Sequence, residues 1–197
     1  MDLSDPRAVL RRYLQAERDA LLWKLDGLGE RAVRMPRTPT GTSLVGIVKH
    51  CANVEIGYFG LTFGYEWPEP DDPCFVPLEA YDADPQADWY LDGEVATDQL
   101  VDFTGRVWEF ADRTIDALPL DAVGHVPWWP DPREATLHHI LVRVTDDLAR
   151  HAGQADILRE QIDSAVGQSA AHGKIPDDVD WPEYVAKLTA IAEQFPE

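Results

Sequence analysis

The 197-residue chain is poor in cysteine, in positive charge and in long apolar runs. Its two cysteines, Cys51 and Cys74, form no CxxC pair and no disulfide-scaffold pattern, which excludes a stapled mini-fold and a cysteine-rich zinc module. No uninterrupted apolar stretch approaches the roughly 18 residues of a membrane span. Met1 to Pro6 is acidic and lacks the apolar core of a secretory signal. Lys and Arg number 17 against 36 Asp and Glu, a net charge of −19. Such a surface repels phosphate backbones and anionic lipid, so neither a nucleic acid nor a membrane is expected as a partner. Alternating apolar and polar runs between turn signals are missing too, so almost nothing reads as a strand. These absences predict a soluble, cytoplasmic, helical protein.

With 45% hydrophobic and 27% charged residues, the composition is globular, and the length suits one domain over 1–197 with a sizeable core. Four stretches carry helical periodicity. The first follows Ser4 and Asp5, good N-cap types, with Pro6 at a favoured first position. Its apolar residues run from Leu10 to Leu28, about six turns, before Gly29 and the Pro36/Pro39 segment. The second runs from Thr42 or Ser43 through Leu61 and breaks near Gly64; the third starts near Thr97 and carries apolar residues to Leu118. The fourth starts after Pro132 and ends near Gly167, and a short C-terminal helix is predicted from Trp181 to Glu193. Four long helices without strands predict an all-α four-helix bundle.

One connection is unusual. Residues 66–98 hold eleven Asp and Glu, no Lys or Arg, and five prolines. Bundle connections usually take two to about eight residues, so this is a long acidic crossover loop. Its aromatics, Trp67, Phe75, Tyr81, Trp89 and Tyr90, offer surface worth burying and predict that it folds across the bundle.

The histidines are the informative candidates. On the fourth helix, Leu137, Leu141, Val144, Leu148 and Ala155 define an apolar stripe, and His151 falls within about 30° of its centre. Asp147 lies one turn earlier on the same side, close enough to share one ion with it. His50 on the second helix sits about 80° from the centre of its stripe, at the edge of the bundle interior. Together these three give an N/N/O set that leaves a coordination position for water or substrate; imidazole and carboxylate suit Zn²⁺ best, with Ni²⁺, Fe²⁺ or Mn²⁺ also compatible. Blander readings stand beside this: His151 as a hydrogen-bonded core residue, and Asp147 as half of a helix-surface pair. His138 and His139 fall on the wet face. Cys51 reads as packing and Cys74 as incidental. Trp128 and Trp129 either cap a pocket or plug the bundle end.

Two separated segments carry a family likeness. Thr38-Pro-Thr-Gly-Thr-Ser-Leu-Val-Gly-Ile-Val-Lys-His50 continues into Val54-Glu55 and Tyr58-Phe59-Gly60, and a second segment runs Ala149-Arg-His-Ala-Gly-Gln-Ala-Asp-Ile-Leu-Arg-Glu160. Together they resemble the DinB/YfiT-like superfamily, and within it the actinobacterial branch that includes mycothiol-dependent transferase-like proteins. The likeness extends over nearly the whole chain, including the Glu17 to Leu28 helix and the Trp128-Trp129 segment. It implies a four-helix bundle with long crossovers, often a homodimer, holding one divalent metal. His50 matches the ligand on the second helix and His151 the last ligand on the fourth; Asp147 stands at the middle position, usually His in the superfamily. Arg143 and Gln154 stand where branch members often carry further histidines.

The chemistry implied is a divalent metal, Zn²⁺ first and Ni²⁺ second, that activates mycothiol or a similar small thiol for S-transfer to an electrophile. No Ser-His-Asp or Cys-His arrangement competes as a protein-borne nucleophile. The rival reading is a non-catalytic bundle that binds a small ligand, with the metal absent or structural. A third, an acidic interaction module acting through residues 66–98, has little beyond charge to recommend it.

Overall fold

The computed structural model describes residues 4–173, 175–176 and 178–196. Helix α1 spans Pro6–Trp23, with the Asp5 carboxylate accepting from the Arg7 backbone N–H and Pro6 opening the first turn. It is shorter than its leucine pattern predicts. Lys24, Leu25 and Asp26 each donate to the carbonyl three residues back, so the run tightens into a turn that still buries Leu25. A short α2, Glu30–Arg34, follows where only a break is expected.

Helix α3, Leu44–Glu55, is capped by Ser43, whose hydroxyl accepts from the Gly46 N–H. The periodic run beyond it does not stay α-helical: residues Ile56–Gly60 form one widened turn and Leu61–Phe63 a tight one. Helices α4, Thr97–Ala117, and α5, Leu137–Asp163, complete the four long helices. Helix α5 packs against α1 and α3, and α4 packs against α3. Two three-residue strands, β1 (Val123–His125) and β2 (Glu134–Thr136), pair antiparallel ahead of α5. They are too short to show alternation in a sequence, and they delay the α5 start from Pro132 to Leu137, where Thr136 caps it. At the far end Ser164, at φ 63°, closes α5 before Gly167. The stripe Leu137, Leu141, Val144, Leu148 and Ala155 is buried, as its spacing predicts. Helix α6, Trp181–Ala192, starts from Asp180 and leaves every one of its residues exposed.

The acidic crossover lies across the bundle, and polar residues of α3 hold it there. The Asn53 side chain donates to the Cys74 carbonyl at 3.0 Å and accepts from the Val76 N–H at 2.8 Å. One turn earlier, the Lys49 ammonium donates to the carbonyls of Ala87 at 2.7 Å and Tyr90 at 3.0 Å. From α4, Arg106 holds Asp72 and Glu69. Trp67, Cys74, Val76, Leu91 and Val95 of this segment are buried, so Cys74 is a core residue rather than an incidental one.

One ionic contact ties three helices. Arg18 of α1 is buried against the equally buried Glu55 of α3, its Nε donating to Oε1 at 3.0 Å and Oε2 at 3.1 Å. Its Nη1 reaches Asp112 of α4 at 2.9 Å. Burial pushes the Glu55 carboxyl above its usual range, against the pull of the guanidinium. Removing one partner of such a pair strands a buried charge. Arg18→Met is therefore expected to lower the unfolding free energy by about 3–5 kcal/mol, and adding Glu55→Leu should recover much of that loss, as measured by urea denaturation. A single variant as stable as the wild type would show that the pair does not organise the three helices.

Candidate metal centre

His50 from α3 and Asp147 and His151 from α5 converge, with one donor atom from each lying within 4.8 Å of the others. A tetrahedral ion with bonds of roughly 2.0–2.2 Å sets its donors about 3.5 Å apart, so these three would close on one ion by side-chain adjustments of about 1 Å. The i, i+4 spacing on α5 places the His151 Nε2 3.7 Å from Asp147 Oδ2. The two imidazoles meet edge to face at 4.8 Å between centroids. All three groups are half-buried, between the dry core and solvent.

The orientation of both rings supports this fit. His50 donates its Nδ1–H to Asp88 Oδ2 at 2.7 Å, and His151 donates its Nδ1–H to Gln154 Oε1 at 2.8 Å. In a neutral ring this leaves the Nε2 lone pair available to a cation, the arrangement that metal-binding histidines usually show. Burial, ahead of the neighbouring His50, holds the His151 imidazole below its ordinary pKa, which favours the neutral form. Gln154 thus takes up an orienting role one turn after His151.

Asp88 and Trp89 come from the acidic crossover, and no sequence signal singles them out among its eleven acids and five aromatics. Asp88 is buried; it accepts from the Tyr81 hydroxyl at 2.9 Å as well as from His50. Burial and the Asp88 charge push the Tyr81 phenol up, keeping it a donor. Trp89 stacks on His50 at 4.2 Å with an 18° tilt. Gly46 permits this approach, because a Cβ there would overlap the Trp89 carbonyl oxygen.

A cavity of about 440 Å³ opens beside the cluster, reaching from His50, Asp88 and Asp147 to Tyr58, Phe75, Leu78 and Trp128. Trp128 is a wall of this cavity: its ring lies over Gly57, where a Cβ would come within 2.8 Å of it, and meets Tyr58 edge to face at 5.1 Å. Trp129 sits behind, donating from Nε1 to the Tyr58 hydroxyl at 3.2 Å. Arg143 lines the same cavity, its Nη1 3.5 Å from Asp147 Oδ1. His138 and His139 are exposed, as their place on the helix predicts. Burial pushes the Cys51 thiol well above its ordinary pKa and that of Cys74 up to about 11, so neither is a ready nucleophile.

A helical bundle with a His-Asp-His cluster opening onto an aromatic-lined cavity has the architecture of bundle proteins that build metal and ligand sites between facing helices. The chain matches the family described as Mycothiol-S-transferase over residues 9–164, and it belongs to that family. It is thus a DinB/YfiT-like protein with an all-α bundle, in a mycothiol-related enzyme family. No curated protein matches the chain. Among the described residues, no helix is long and apolar enough to cross a membrane.

Asp88→Asn retains the side-chain shape but weakens the acceptor that orients His50. It is expected to reduce metal affinity by about 10–100-fold, and Gly46→Ala should act in the same direction by displacing Trp89. Competition against a chromophoric chelator measures both; unchanged affinity in Asp88→Asn would show that the crossover does not tune the site.

Proposed function

We propose that this protein is a divalent-metal-dependent thiol S-transferase using mycothiol or a similar small thiol. His50, Asp147 and His151 are the ligands, with Zn²⁺ as the first choice of ion and Ni²⁺ the second. The observation that carries this reading is the convergence of one donor atom each from His50, Asp147 and His151, with both Nδ1 atoms engaged by oxygen acceptors so that Nε2 is the free lone pair of each neutral ring. When bound, the ion supplies a Lewis acid that holds a thiol as its thiolate near neutral pH.

The protein's own groups do the remaining work. Asp88 and Gln154 fix the imidazole orientations, and Tyr81 keeps Asp88 in place. Trp89 covers one face of His50 and limits the approach of water. The aromatic wall of Tyr58, Phe75 and Trp128 holds the apolar body of an electrophile next to the sulfur. In the transfer, the thiol releases its proton to solvent, its sulfur lone pair forms the bond to the electrophilic atom, and the leaving group departs with the bonding pair. This reading includes a cytoplasmic homodimer without a nucleic-acid or membrane partner.

A second reading, a non-catalytic bundle that binds a small ligand, draws on the Arg143 guanidinium beside Asp147, which gives that carboxylate a counter-ion without any metal. One experiment separates the two. Tag-free protein is expected to carry near-stoichiometric Zn or Ni by elemental analysis, and His151→Ala and Asp147→Ala should each lose it along with thiol-dependent turnover. A wild type that neither contains metal nor takes it up on reloading removes the transferase reading. Ligand stabilisation without turnover, about 2.7 kcal/mol at 100 times Kd, would then identify a binding bundle.

A further inference from the structure

Arg143 is the one Lys or Arg among the residues lining the cavity beside the cluster, in a protein with a net charge of −19. Its guanidinium presents a planar fork suited to a carboxylate. The acids it pairs with are both on its own helix, Nη1 standing 3.5 Å from Asp147 Oδ1 and 3.9 Å from Asp146 Oδ2, while Asp88 of the crossover lines the same cavity. Both contacts are too long for charge-assisted hydrogen bonds, which run about 2.7–2.9 Å. Asp147 is also one of the three clustered donors. A cation held there draws on the same carboxylate and repels the guanidinium, leaving Arg143 in need of another anion.

Away from His50, Asn53, Asp88 and Asp147, the wall is mostly apolar and aromatic, with Tyr58, Phe75, Leu78 and Trp128 facing the same space. Trp67 lines it as well, and its buried indole N–H lacks an acceptor among the described residues. We infer that Arg143 makes this cavity selective for an apolar, preferably aromatic, ligand bearing a carboxylate. The ring packs on the aromatic wall and the carboxylate takes the fork of Arg143 in place of Asp147. As a substrate subsite this rests on the transferase reading; as a binding site it stands without turnover.

The probes are phenylacetate and its neutral isostere phenylacetamide, titrated calorimetrically into zinc-loaded wild type, Arg143→Gln and Arg143→Lys. The wild type is expected to prefer the acid by roughly 10–100-fold, the range of a hydrogen bond to a charged group. Arg143→Gln should lose that preference while keeping its affinity for the amide, and Arg143→Lys should retain part of it. Arg143 is partly exposed, and the retained amide affinity shows that the variant cavity is intact. Equal affinities in the wild type would overturn the inference. So would a preference that survives in Arg143→Gln, because the carboxylate would then sit on the metal. In turnover, Arg143→Gln should raise KM for the partner that brings the anion: 4-(bromomethyl)benzoate over benzyl bromide if the electrophile does, thioglycolate over 2-mercaptoethanol if the thiol does. Unchanged KM for both acids would count against the inference. Metal content and transfer between neutral partners do not depend on it, so its failure and that of the transferase reading are distinguishable.

Discussion

The hydrogen bond between His50 and Asp88, 2.7 Å long, joins the two parts of the molecule on which the site depends. One partner belongs to a bundle helix and the other to a crossover 38 residues further along the chain. Closing so long a loop has an entropic cost, and a single hydrogen bond of about 1–3 kcal/mol would not hold it. The bond works because Lys49 and Asn53, beside it on α3, fasten the crossover backbone at Cys74, Val76, Ala87 and Tyr90. Once those anchors are set, Asp88 has little freedom left to lose, and the ring of His50 is fixed between it and Trp89.

The scarcity of basic residues also acquires a meaning inside the fold. Arg18, Lys24, Lys49 and Arg159 are all buried, and each satisfies groups that would otherwise be stranded. Arg18 pairs with Glu55 and Asp112 across three helices. Arg159 donates to the carbonyls of Lys24 at 3.0 Å and Asp26 at 2.8 Å, where the turn after α1 leaves acceptors free. Lys49 does the same for the crossover. Cations are thus drawn to interior carbonyls and carboxylates, while the excess of acid stays at the surface and accounts for the charge of −19.

Much of the bundle was legible from spacing. The stripe on α5, the caps at Asp5 and Ser43, and the wet placement of His138 and His139 all follow from a 3.6-residue period and from which side chains accept a backbone N–H. The errors sit where a local pattern continues while the backbone changes. The leucines after Trp23 and the apolar run after Glu55 keep a helical rhythm through a tight turn and a widened one. The short strand pair before α5 has too few residues to alternate.

For the site, the sequence by itself determined the fold class, the common face of Asp147 and His151, and the position of His50 at a helix edge, because each depends on a local repeat. Only the tertiary structure decided that these three meet, that Asp88 rather than another of the crossover acids reaches His50, and that Arg143 shares a cavity with Trp128. Those are contacts between segments far apart in the chain. They depend on how a proline-rich crossover is pinned to α3, and residue spacing carries no record of that path.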